Sequence, residues 1–433
     1  MTYDETVEYL FNCAPPFQQV GGAGYKEGLA NTIAIDNHLG NPHHKFRTIH
    51  VAGTNGKGST SHTLSAILQK AGYKVGLYTS PHLIDFRERI RVNGVPASKE
   101  FVVEFVEREK NFFEPLQPSF FELTTAMAFT YFAMQKVDVA IIEVGLGGRL
   151  DCTNIISPDL CIITNISLDH TQFLGDTPAK IASEKAGIIK HNTPVVIGEV
   201  EEETRKVFSD KALKESAPII FAQETDTLSQ AEHTPEGMLY TTADYDTFTG
   251  ELSGDYQINN TRTILTALRE LKKAGYKFTA DNVKEAFAHV CTLTGFMGRW
   301  QTIGNNPRTV CDAGHNIGGI KYITEQLQKE RYTTLRIVFG MVSDKDINTV
   351  LSMMPRNAVY YFTQASIKRA MPAEELRQKA MAHGLKGNSY HCVKTALDAS
   401  KADADTNDFI FVGGSCFIVA DLLTAINEKS AGR

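Results

Sequence analysis

The residues best placed to do chemistry are seven in a row, Gly53, Thr54, Asn55, Gly56, Lys57, Gly58 and Ser59. They follow a β-rich run, RTIHVAG, and lead into STSHTLSAILQKAG, where Leu64, Ile67, Leu68 and Ala71 recur at helical spacing. In a strand–loop–helix unit of this kind, small residues let backbone N–H groups converge on phosphate oxygens. The helix N-terminus adds positive potential, and Lys57 can reach terminal phosphates. The loop departs from GxxxxGK[ST]: Val51 holds the first glycine position, and Gly58 follows the lysine where a magnesium-binding hydroxyl normally stands. A metal must therefore be sought elsewhere. The plainer reading of the loop is a glycine-rich turn needed only for strand-to-helix packing.

Open parallel sheets place their ligands at the carboxyl ends of strands. Glu143 ends the apolar run VDVAIIEV, where an acid is costly unless paired or bound to metal. His170 follows DLCIITNIS, and Ser80 ends LYTS. Together, three such hard or borderline donors could hold one Mg²⁺, with nucleotide oxygens and water completing the shell. Each also has a plainer reading: Ser80 as a turn cap, Glu143 as a partner of Arg149, and His170 as a loop histidine.

The elements that must position these residues alternate along the chain. Short β-branched runs (KVGLYTS, VDVAIIEVG, DLCIITNIS, TPVVIGEV, APIIFAQ) are separated by helix-like stretches such as LTTAMAFTYFAMQK and PAKIASEKAGIIK. This predicts an α/β fold with a parallel sheet covered on both faces. MLYTTADYDTFTGELSG then predicts antiparallel strands, followed by helices in NNTRTILTALRELKKAG and ADNVKEAFAHV. After Gly295–Trp300 a second alternation begins and runs to FIFVGGS, which predicts a smaller α/β domain. We place the boundary at 296/297, giving domains of residues 1–296 and 297–433. At 433 residues the chain is long enough for two or three domains.

Composition narrows the function classes. Apolar residues at 42% and charged residues at 22% exclude disordered and fibrous classes. A net charge of −6 leaves no global field for a nucleic-acid backbone, so no nucleic-acid partner is expected. Seven cysteines without CxxC spacing write neither a zinc knuckle nor a redox dithiol, and they suit a reducing cytoplasm. The N-terminus is acidic where an export signal needs basic residues, and no apolar stretch approaches the roughly 18 residues of a membrane span. No membrane partner is expected.

The ordered motifs IHVAGTNGKGST, TSPHLIDFRERIRVNG, FFELTTAMAFTYF, IIEVGLGGRLDCTN, ITNISLDHTQFLG, IASEKAGIIK, GRWQ and DAGHN resemble those of the folylpolyglutamate synthase and dihydrofolate synthase family, relatives of the Mur ligases. The resemblance implies a P-loop ATPase domain followed by a smaller Rossmann-like C-terminal domain. It implies that the loop residues through Lys57 bind ATP, that Ser80, Glu143 and His170 bind Mg²⁺, and that Lys185 is carbamylated and helps hold a second Mg²⁺. Read without the family, Lys185 would be a surface lysine in a helix. Asn260, Arg299 and Asp312 would serve the nucleotide, and His315 would bind substrate carboxylate or accept a proton. Their plainer readings are a helix N-cap, an interdomain ion pair and a turn carboxylate for the first three. Ala313 and Gly314 reverse the family's two small residues, and Ile317 replaces a usual proline. The pterin side would comprise Gly24, Tyr25 and Lys26, then Ser119, Phe120, Phe121 and Glu122, with Leu150, Asp151 and Cys152. In that set the two phenylalanines would supply flat apolar surface; the plainer reading is a buried helix start.

The implied reaction is ATP-dependent amide ligation through an acyl phosphate. L-Glutamate would be joined to dihydropteroate, to the γ-carboxylate of a reduced folate, or to both, by a cytoplasmic monomer. A Mur-type ligase on another acid is the alternative, although only about 45 residues precede the first strand, fewer than an additional substrate domain needs. A non-catalytic nucleotide switch would leave Asp312 and His315 without purpose.

Overall fold

The computed structural model describes residues 1–13, 28–343 and 345–431 of the chain; Gly24, Tyr25 and Lys26 lie outside these. Two compact units are present. One comprises Met1–Glu251 and Tyr256–Phe296, the other Leu252–Asp255 and Met297–Arg433. The short stretch Leu252–Asp255 thus packs with the second unit, where Asp255 N–H donates to Gln326 Oε1 at 2.9 Å and Asp255 pairs with Lys329 at 2.7 Å.

The first unit is built on eight strands: β1 (Arg47–Ala52), β2 (Val75–Tyr78), β3 (Ile90–Val92), β4 (Val95–Pro96), β5 (Val139–Glu143), β6 (Leu160–Ile163), β7 (Val195–Ile197) and β8 (Ile219–Phe221). Their order is β4-β3-β2-β5-β1-β6-β7-β8. The six strands from β2 to β8 run parallel, and β3 and β4 form an antiparallel edge. Strands β2, β5, β6 and β7 are buried throughout, as is β1 beyond its first residue. This is why they read as unbroken apolar runs: helices cover both faces of the sheet. On one face Ile49, Val51, Ile141 and Ile162 pack against the helices Lys57–Lys70, Gln257–Lys273 and Ala280–Ala288. On the other, Ala140, Ile142, Tyr78 and Phe132 form a core with the helices Lys99–Leu116 and Phe120–Gln135. Each fully buried side chain of this size contributes roughly 1.5–3 kcal/mol.

A three-stranded antiparallel sheet, β9 (Leu228–Thr234), β10 (Gly237–Thr242) and β11 (Asp246–Gly250), adds Met238, Tyr240 and Phe248 to the first core. The helix expected through Lys190 ends at Ala186. A Cβ at Gly187 would lie 2.3 Å from Arg149 Cα, so the chain turns there and sends Ile188 and Ile189 into a separate core.

The second unit holds a six-stranded sheet in the order β12-β13-β17-β14-β15-β16. Its strands are β12 (Gln301–Asn305), β13 (Arg308–Asp312), β14 (Leu335–Phe339), β15 (Ala358–Phe362), β16 (Lys386–Ser389) and β17 (Phe409–Gly413). All its pairings are parallel except β12 with β13.

Candidate active site

The glycine-rich loop leaves the carboxyl end of the central strand β1, with β5 on one side and β6 on the other. From β1 the chain crosses over β5 to reach β2, whereas from β5 it crosses to β6 on the far side of β1; ligands of open parallel sheets bind at such a reversal. Gly53 and Gly56 have φ of +144° and +84°. A side chain is excluded as well: a Cβ would lie 1.9 Å from Thr164 Oγ1 at Gly53 and 2.3 Å from Asn260 Oδ1 at Gly56. The loop is clamped by the segment after β6. Thr54 N–H donates to Asn165 O at 3.0 Å, Asn55 N–H donates to Asn165 Oδ1 at 2.8 Å, and Ser167 N–H donates to Thr54 Oγ1 at 3.0 Å. Thr164, Asn165 and Ser167 were not singled out from the sequence, because ordinary polar residues in a loop carry no signal until their partners are known.

Lys57 folds back over the loop, donating to Gly53 O at 2.9 Å and Thr54 O at 3.1 Å. Gly58, the departure from the common pattern, has a spatial reason. A Cβ there would be 3.4 Å from the Phe296 ring and 3.8 Å from Glu143 Oε2. The carboxylate from β5 thus faces the spot where the usual hydroxyl would project. Buried Ser59 accepts from Gln257 Nε2 at 3.1 Å, and Gln257 Oε1 accepts from Asn260 Nδ2 at 2.9 Å. Asn260 lies inside its helix, whose N-cap is Tyr256, so it reaches the loop and does not cap the helix.

Glu143 is 3% exposed, and the Arg149 guanidinium pairs with Glu184 at 3.0 Å. Tyr78 opposite Ile142 and Val51 opposite Glu143 put the ends of β2, β5 and β1 side by side, and Ser80 lies two residues beyond β2. His170, at φ +50°, opens the short helix Thr171–Leu174 at the end of the segment that clamps the loop. Among the described residues no group of three or more His, Cys, Asp or Glu is poised for a metal. The carboxylate, hydroxyl and imidazole expected from the sequence would form a mixed donor set, of the kind that suits a hard divalent ion keeping water and phosphate oxygens in its shell.

Lys185 is not a surface lysine. It is 4% exposed, at the end of the helix Pro178–Ala186, and its pKa is driven down to about 7 by burial and then by the charge of Lys57, against Asp169 and Asp151.

Several residues expected on the pterin side are spent within the chain. Ser119 and Glu122 form a capping box: Glu122 N–H donates to Ser119 Oγ at 3.2 Å and Ser119 N–H to Glu122 Oε2 at 2.6 Å. Phe120 is 3% exposed, stacked on Phe11 at 5.2 Å with the Arg89 guanidinium over its ring. Its ring is thus packed within the chain, as the plainer reading of a buried helix start expects. Phe121 is only partly buried; its ring lies over Gly145, where a Cβ would meet Phe121 Cζ at 2.3 Å. Asp151 accepts four hydrogen bonds, from Gly145 N, Leu146 N, Thr153 N and Thr153 Oγ1. Leu150 and Cys152 flank it and are half-buried. Burial, then Asp151 and Glu122, pushes the Cys152 thiol well up, so it is no thiolate.

In the second unit Asp312 ends β13, 2% exposed, and accepts from Trp300 N at 2.8 Å and Gly314 N at 2.7 Å. It therefore holds both the turn carrying Arg299 and the turn carrying His315. The reversed pair Ala313-Gly314 is explained locally: a Cβ at Gly314 would strike Ile323 Cδ1 at 2.6 Å, while Ala313 N–H donates to Gly298 O at 3.0 Å. His315 Nδ1 is 3.1 Å from Ala313 O. A carbonyl only accepts, so Nδ1 carries a proton; in the neutral ring Nε2 is then the acceptor. Asn316 caps the helix Ile317–Lys329, accepting from Gly319 N at 2.8 Å, so Ile317 begins the helix without proline.

A phosphate loop at the switch point of a parallel sheet, with a second α/β unit carrying Asp312 and His315, defines a Mur-type nucleotide-dependent ligase. Residues 51–268 match the Mur ligase middle domain, and residues 298–416 match the Mur ligase glutamate ligase domain. The chain is 33% identical to the dihydrofolate synthase/folylpolyglutamate synthase of Bacillus subtilis, over 92% of this chain and 95% of that one. Its fold is similar to that of E. coli FolC in complex with DHPP and ADP, with a TM-score of 0.85, 30% identity and 99% of each chain covered. It is also similar to a bifunctional folylpolyglutamate synthase/dihydrofolate synthase with Mn, AMPPNP and L-glutamate bound, with a TM-score of 0.83, 29% identity, and 99% of this chain and 98% of that one covered. The chain belongs to the dihydrofolate synthase/folylpolyglutamate synthase family.

Proposed function

We propose that this protein is an ATP-dependent acid–amino-acid ligase that joins L-glutamate to dihydropteroate and to the γ-carboxylate of reduced folates. The observation that carries the reading is the arrangement around the phosphate loop at the sheet reversal, where Lys57 folds over the loop, the Glu143 carboxylate faces Gly58, and Lys185 is buried within the electrostatic reach of Lys57. A carboxylate is a poor acylating agent. Its oxygen attacks the γ-phosphorus of ATP, ADP leaves, and an acyl phosphate results. The glutamate nitrogen then attacks the acyl carbon, phosphate departs, and the amine loses a proton.

Phosphoryl transfer is promoted mainly by positioning and charge. Lys57, already folded over the loop, would turn outward to the terminal phosphates, with the loop amides and Ser59 holding the rest. Ser80, Glu143 and His170 would hold a divalent ion, which when bound neutralises developing phosphate charge. Lys185 supports carbamylation chemically: an amine held near pH 7 is partly neutral, adds CO₂ and releases a proton, and the resulting anion suits a second cation beside Lys57. Asp312 would set the Arg299 and His315 turns. Arg299 would meet nucleotide phosphate, and His315 Nε2, the nitrogen left as acceptor, would take the amine proton or bind a substrate carboxylate. Phe121, Leu150 and Cys152 would line the pterin side. Because every proposed group comes from a single chain, a monomer would suffice, and a cytoplasmic setting fits its substrates. Among the described residues no helix is long and apolar enough to cross a membrane.

The test is purified protein with ATP, Mg²⁺ and L-glutamate, offered dihydropteroate or a reduced folate in parallel and read by mass spectrometry. One glutamate added to dihydropteroate and successive glutamates added to folate are expected. Extension of folate alone would restrict the activity to chain elongation, and no adduct on either would overturn the reading.

A further inference from the structure

His50 stands fully buried in the middle of β1, facing away from Ile49 and Val51 and flanked in the sheet by Ile142 and Cys161. An imidazole in such surroundings is costly unless its nitrogens are used. Its Nε2 is 2.9 Å from Thr153 Oγ1, and Thr153 Oγ1 is 2.5 Å from Asp151 Oδ1. Burial raises the Asp151 pKa, but three backbone N–H groups donate to its two oxygens and favour the ionised form; a carboxylate only accepts, so the threonine proton points to Asp151 and the threonine oxygen accepts from His50 Nε2–H. Among the described residues His50 Nδ1 has no hydrogen-bond partner, which the neutral Nε2–H tautomer allows because Nδ1 then carries no proton to place. Asp151 Oδ2 then accepts from Gly145 N at 3.0 Å and Leu146 N at 2.8 Å. These amides follow Glu143 by two and three residues, and Gly145 is the floor on which the Phe121 ring rests. One polar chain therefore runs from the centre of the sheet to the turn joining the candidate metal carboxylate to the candidate substrate wall.

We propose that His50 is a positioning residue for the ligation, acting through Thr153 and Asp151 on the Gly145–Leu146 turn and so on the seat of the pterin substrate. This rests on the ligase reading above. It explains why a histidine occupies a strand position that any β-branched apolar residue could fill.

The experiment compares Thr153→Val with Thr153→Ser, and His50→Met with His50→Gln, whose side-chain amide can donate near the Nε2 position. Hydrogen exchange of the free protein is read by mass spectrometry over peptides spanning residues 143–152, and steady-state kinetics supply KM for the pteroate or folate substrate and for ATP. Thr153→Val removes both hydrogen bonds of the threonine hydroxyl and His50→Met removes the one between His50 and Thr153; each should speed exchange at Gly145 and Leu146 and raise the KM of the pteroate or folate substrate by about tenfold. The KM of ATP should move less than about twofold, and Thr153→Ser and His50→Gln should restore both readouts. Uniformly faster exchange across β1, β5 and β6 with equal rises in both KM values would mean a merely structural histidine and would overturn the proposal. Equal behaviour of His50→Met and His50→Gln would also overturn it, and this pair decides if Thr153→Val does not fold. Because exchange is measured without substrate, a parent protein that makes no glutamate adduct would sink the ligase reading while the relay is still judged on its own.

Discussion

Two lysines show how far environment sets function at the scale of single residues. Lys57 could be assigned from its neighbours in sequence, since glycines before a helix have few other uses with a lysine among them. Lys185 could not, because nothing in SEKAGI distinguishes a buried amine from a solvated one; its burial and then the charge of Lys57 lower its pKa to about 7. Lys57→Ala and Glu143→Ala are each expected to lower kcat at least about 10²-fold, with unchanged circular dichroism; full activity in either would exclude the assigned roles. Lys185→Ala should lose comparable activity, and ¹³C-bicarbonate should give a carbamate carbon resonance in the parent protein that is missing from the variant. A parent spectrum without that resonance would leave Lys185 an unmodified amine and remove the second-cation role.

Elements decide which polar residues remain available. The sequence FFEL after Ser119 can be read as a substrate wall or as a helix start, and the capping box shows that Ser119 and Glu122 serve the helix. Ser119→Ala should therefore cost about 1 kcal/mol, seen as a lower denaturation midpoint of the first unit, with little change in KM for ATP. The loop shows the converse, a function that depends on the absence of side chains. Gly56→Ala would place a methyl group 2.3 Å from Asn260 Oδ1 at a φ of +84°. Strain of about 1–3 kcal/mol is expected, read as a raised KM for ATP; an unchanged KM would mean that the loop relaxes freely. Asn260 itself was legible only as a family position, since its contact with the loop joins residues some two hundred apart in the chain.

For the whole molecule, acid stability follows from histidines buried as neutral rings. Burial, reinforced by Lys190, drives the His50 pKa from 6.5 down to about 3; burial and then Arg89, whose Nε donates to His82 Nδ1 at 2.8 Å, do the same for His82. The unfolded chain binds more protons than the folded one between these values, so stability present above pH 6.5 is lost as the pH falls toward 3. For His50 alone the loss between pH 7 and pH 5 is about 2 kcal/mol. Thermal midpoints of the first unit should fall across that interval, and His50→Gln should flatten the fall. A midpoint independent of pH from 7 to 5 would show that the rings accept protons in the fold.

The sequence by itself determined the alternation of strand and helix, the phosphate loop, the second α/β unit and the acid that ends β5. Each of these is written in local periodicity, in glycine placement, or in a charge set against an apolar run. Tertiary structure decided which side chains are free to act. It buried Phe120, spent Asp151 on the Gly145–Leu146 turn, and brought Thr164 and Asn165 onto the loop. It also buried Lys185, within reach of the Lys57 charge, which lowers its pKa to about 7. The reason is physical: periodicity and turn chemistry act between near neighbours in the chain, whereas hydrogen-bond saturation and desolvation depend on groups that only packing assembles.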